Sequence, residues 1–168
     1  GVGVRVSSAA QNKMKIKKII IPVIILFWIF ISQVHAQPSL EATYLNLRDN
    51  YFQTYDRFLS VRNNYWQQDT IESKENFREV AREFLISRDR LFLSYLDLLL
   101  KKSSFVDTKS QNEIAKWHGW MAEHHREVNN AYSLDDLSSL NKDFDETYPE
   151  IEYTVYRFLL TRTITQQE

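Results

Sequence analysis

Apolar residues recur at steps of three and four along most of this chain, in four blocks separated by short polar stretches. In the first, Leu40, Tyr44, Leu47, Tyr51, Tyr55, Phe58, Arg62 and Tyr65 fall on one face of a long helix. Ser39 is placed to cap it, and Glu41 in the first turn faces the positive end of the helix dipole. The second block carries Phe77, Val80, Ala81, Phe84, Leu85, Leu91, Phe92, Tyr95, Leu96 and Leu99, predicting a helix from near Ser73 to Lys101-Lys102.

The third helix is predicted to open at a capping box, Ser110-Gln-Asn-Glu113, and to continue through Ile114, Trp117, Met121, His124 and Val128. The fourth opens at Ser133-Leu-Asp-Asp136, with Tyr132 and Leu137 placed as a hydrophobic staple. It continues through Leu140, Phe144, Tyr148, Ile151, Val155, Phe158 and Leu159. Pro149 lies inside that pattern and has no N–H to donate, which predicts a kink or short break near Thr147-Tyr148. The apolar phase holds across the proline and favours the kink.

Connections of about 5–8 residues between long helices imply antiparallel neighbours. The fold expected is all-α, an antiparallel up-down four-helix bundle with its last helix kinked near Pro149. The alternative is a three-helix bundle in which residues 134–147 cross one end. Between Gln37 and Glu168 only Gly119, Pro38 and Pro149 break the pattern, and strand-rich folds need many more turn residues.

Ahead of these blocks the pattern changes. Met14-Lys-Ile-Lys-Lys leads into an apolar run from Ile19 to Ile31, and Val34 and Ala36 are small residues suited to processing before Gln37. Residues 14–36 read as a signal peptide, and 37–168 as a single helical-bundle domain. Residues 1–13 read as an upstream or truncated extension. Left uncleaved, residues 19–34 would instead be an N-terminal membrane anchor, although a spanning helix needs about 20 residues. Without cysteine a lipoprotein anchor acylated on a thiol and disulfides are both excluded, so packing alone is expected to hold the fold.

Five of the 21 basic residues and none of the 22 acidic ones precede Gln37, which leaves a net charge of −6 on 37–168. That balance argues against nucleic acid or anionic lipid as a partner. It leaves membrane contact only through an uncleaved 19–34 segment.

Candidate chemistry concentrates in the third helix, where His118, Glu123, His124 and His125 could bind a metal. The di-iron pattern Glu-x-x-His is absent, and few ligands stand on the other helices, so a packed His124 beside two partly exposed histidines is the plainer reading. Haem ligation by Met121 or His124 would need a partner from another helix. No cofactor is therefore expected. No nucleophile motif or phosphate loop is present, and the carboxylates around Pro149 read as a solvated face.

Most aromatic residues sit at core spacing, while Trp66 and Trp120 are candidates for a binding patch. Arg62, Arg88 and Arg162 fall at or beside apolar positions and call for carboxylate partners such as Asp56, Asp89 or Asp97. Three functions follow. The first is an exported, non-enzymatic module that binds or scaffolds a protein or cell-surface polymer. The second is a small-ligand or metal-binding bundle. The third is a sensor ectodomain tethered by the uncleaved leader.

Overall fold

A computed structural model describes residues 39–102 and 107–165. Residues 1–13 and 14–36, read above as an extension and a signal peptide, lie outside the described residues. Four helices follow in order: α1 (Leu40–Gln68), α2 (Ile71–Lys101), α3 (Thr108–Asn130) and α4 (Leu134–Thr165). They pack into an all-α four-helix bundle. Antiparallel neighbours are visible in single contacts. Tyr65 stacks on Phe77 near one end of α1 and α2, and Tyr44 meets Tyr95 near the other. His118 reaches Asp97 while His124 reaches Asp89. Trp117 bonds Thr154 while His124 bonds the backbone of Leu140.

The helix starts follow from local hydrogen bonding. Ser39 Oγ accepts from the Ala42 N–H at 3.1 Å, as expected. Thr70 caps α2, three residues ahead of the expected start near Ser73. Ser73 stands three residues inside and completes a capping box, its hydroxyl accepting from the Thr70 N–H at 2.9 Å. At α3 the cap is Asp107 rather than Ser110, because a carboxylate accepts from both the Ser110 N–H (2.9 Å) and its hydroxyl (2.7 Å). The box at Ser133 and Asp136 forms as read from sequence. Its staple does not: Tyr132 is 82% exposed, and the buried Ala131 packs with Leu137 instead.

Two of the three connections are tighter than the apolar spacing suggested, while residues 102–107 between α2 and α3 fall within it. Only Asp69 and Thr70 join α1 to α2, and Asp69 adopts the left-handed conformation (φ 38°) that ends α1 with its N–H on Tyr65 O at 3.0 Å. Three residues, 131–133, join α3 to α4. The fourth helix runs through Pro149 without a break, so neither the short break nor a separate crossing segment at 134–147 occurs. Asp145, whose carbonyl loses its donor to the proline, lies on the exposed side, where water can satisfy it.

The helices are unequal. α2 packs against all three others and α3 against α4, but α1 approaches α2 alone. Burial on α2 therefore extends beyond one stripe, to Ser87, Arg88, Asp89 and Ser94. None of the residues of α1 is buried. Two apolar clusters fill the interior. One joins Leu96, Ile114, Met121, Ile151 and Phe158, and the other joins Ala81, Leu85, Val128 and Leu137. Phe58 and Phe84, at core positions in the sequence pattern, are only partly buried against the second.

Candidate functional site

Between the two apolar clusters lies a polar network built on Asp89, whose side chain is wholly buried. Asp89 Oδ2 lies 2.9 Å from His124 Nδ1, and Oδ1 accepts from Arg88 Nε at 3.2 Å. Arg88 Nη1 donates to Asn141 Oδ1 at 2.7 Å, and its guanidinium lies 3.6 Å from the Phe144 ring centre. His124 Nε2 meets the Leu140 carbonyl at 2.9 Å. These bonds tie α2, α3 and α4 together at one level. On the other side of α2, Thr54 and Ser87 share a 2.5 Å hydrogen bond that adds α1 to the same layer.

The protonation of His124 follows from its partners. Both are oxygen acceptors, so each ring nitrogen must donate, and only the imidazolium does so. Burial pulls its pKa down, but the hydrogen bonds to Asp89 and to the Leu140 carbonyl outweigh that, and the net shift is upward. Burial likewise lowers the Arg88 pKa, with Asp89 opposing. Trp120 stacks on His124 at 5.2 Å and 27°, covering the ring.

The four metal candidates are not brought together. His124 has no free nitrogen, and His118 Nε2 turns to Asp97 at 3.1 Å. Glu123 is occupied by Arg126, its Oε2 accepting from Nε at 3.0 Å. His125 Nε2 faces Asn129 Nδ2 at 3.1 Å, and burial lowers its pKa. Among the described residues no group of three His, Cys, Asp or Glu side chains is placed to hold a metal ion. The arginines meet expectation only in part. Arg88 finds its adjacent Asp89, whereas Arg62 lies over aromatic rings and Asp97 takes His118 instead.

The two tryptophans have different fates. Trp120 is half-buried and packs on the core. Trp66 is 67% exposed on α1 and belongs to a face absent from the sequence-based picture. Leu45, Phe52, Leu59 and Trp66 recur every seven residues along α1, with Tyr55 between them. The inner face of α1, through Tyr51, Phe58 and Tyr65, is spent on α2. This second row flanks it, with Phe52 56% exposed. Its heptad spacing was present in the sequence, where the stronger inner stripe overshadowed it.

Beside this row a cleft of about 470 Å³ opens between α1, α2 and the start of α4. Phe58, Phe77, Phe84, Leu85 and Leu137 line it, and Arg62 stands at its wall. The guanidinium of Arg62 lies 4.7 Å from the Trp66 ring centre and 5.7 Å from that of Phe58. Comparison with protein-family models, with curated proteins and with solved structures finds no match, so the chemistry of these residues is the only guide to what the chain does.

Proposed function

We propose that this protein is an exported, non-enzymatic binding or scaffold module that engages a protein partner through α1. The observation that carries this reading is the second apolar row, Leu45, Phe52, Leu59 and Trp66, on a helix none of whose residues is buried. An apolar row repeated every seven residues is the surface against which another amphipathic helix packs. Large exposed aromatic residues are also what protein interfaces bury at their centres. Export rests on the sequence of residues 14–36, and a helical row favours a protein partner over a surface polymer.

A photo-crosslinking residue placed at Phe52 of the full chain, in cells that make it, tests the reading. One discrete adduct is expected, absent when the probe sits at Lys142 on the outer side of α4 and lost when Leu45→Glu is added. An adduct pattern identical at both positions, or indifferent to Leu45→Glu, would sink the proposal. N-terminal mass measurement of the released protein tests export, with Gln37 as the expected first residue.

A further inference from the structure

The cleft beside α1 combines an apolar floor with one unsatisfied cation. Phe58 and Phe84 stack at 4.9 Å, Phe77 lies 5.7 Å from Phe58, and Leu85 and Leu137 are buried beneath. Arg62 makes no ion pair among the described residues, and its Nε is shielded from solvent without a hydrogen-bond partner. The other contacts of the guanidinium are ring faces, which hold it in place without using its donors. Leu134 and Asp135, the first residues of α4, also line the cleft, so the positive end of the helix dipole is nearby.

A volume of this size lies within the range of small-molecule sites. The planar guanidinium fork matches a carboxylate in two parallel hydrogen bonds. Three phenylalanines and two leucines match a saturated chain and offer it no polar group. We propose that the cleft binds a medium-chain aliphatic carboxylate, its chain along Phe58, Phe77 and Phe84 and its carboxylate on Arg62. Asp135 is an exposed carboxylate on the wall formed by α4, and it opposes the anion. It therefore sets the affinity below what Arg62 alone would give. The site goes beyond the proposed partner surface: Leu45 and Phe52 do not line it, so the two readings fail separately.

Calorimetric titration of the full chain with dodecanoate and with dodecanol separates head from tail. All variants keep the same residues 14–36, so any binding there cancels between wild type and variant. Dodecanoate should bind at least about 10-fold tighter than dodecanol, as a hydrogen bond to a charged group implies. Arg62→Met keeps the stem over the rings and should abolish that preference. Ser138→Trp, an exposed position at the rim, should block both ligands, and Asp135→Asn should tighten dodecanoate severalfold. Far-UV circular dichroism checks that each variant folds. Equal affinity for acid and alcohol, or affinities unmoved by Arg62→Met and Ser138→Trp, would overturn the proposal. So would tighter binding of lysophosphatidylglycerol with the same chain, which would assign the head to a phosphate.

Discussion

Asp89 and His124 meet across 2.9 Å in the interior, the carboxylate fully removed from solvent and the imidazole 97% so by residue exposure of 3%. Neither could be buried alone at acceptable cost. Together with Arg88 they form a cluster in which a single carboxylate serves two cationic groups.

Removing the shared carboxylate should be costly. Asp89→Asn keeps the shape but leaves Arg88 and His124 without a counter-charge in a dry layer. A loss of about 3–5 kcal/mol is expected by urea denaturation. A loss under 1 kcal/mol would mean that water reaches the network.

The pH dependence has a definite sign. Folding raises the His124 pKa above its ordinary value of 6.5, so the native state holds this proton more tightly than the unfolded chain. Its stabilisation is complete below about pH 6.5 and is lost as pH rises through the higher folded value. His125 acts oppositely: burial lowers its pKa, and its contribution is lost as pH falls below 6.5. The difference in stability between wild type and His124→Gln isolates the first effect and should shrink between pH 6 and pH 9. A difference that stays constant or grows over that range would refute the imidazolium.

Core truncations should rank by tertiary burial rather than by sequence pattern. Phe158, at 1% exposure, should lose about 3–5 kcal/mol on replacement by alanine. Phe58→Ala should lose clearly less, because its ring lines an open cleft that water already reaches. Equal losses would place Phe58 in the core after all.

Two backbone substitutions should stabilise. A methyl group at Gly119 meets nothing within 4 Å, so Gly119→Ala should gain about 0.5–1 kcal/mol by removing flexibility from the middle of α3. Pro149→Ala restores an N–H inside α4, where proline costs up to about 3 kcal/mol. Thermal melting checks both, and a lowered midpoint in either case would contradict the helix-interior assignment.

The sequence by itself determined the helices and their inner faces, because a period of 3.6 and a capping residue act over a few neighbours. Ser39 and Ser133 were legible as caps for that reason, and so was the apolar phase through Pro149. The starts of α2 and α3 shifted by three residues because Thr70 and Asp107 accept from the N–H groups of Ser73 and Ser110 and so draw those residues into the first turn. What tertiary structure decided is which face meets which neighbour. Three helices converge on α2, so polar residues such as Asp89 and Arg88 are buried where a single stripe would leave them wet. α1 meets only one neighbour, so Phe52 and Trp66, apolar and at regular spacing, stay in solvent. His124 read as a possible metal ligand because spacing along one helix is blind to the others. Asp89 from α2 and the Leu140 carbonyl from α4 claim its two nitrogens only once the bundle has closed.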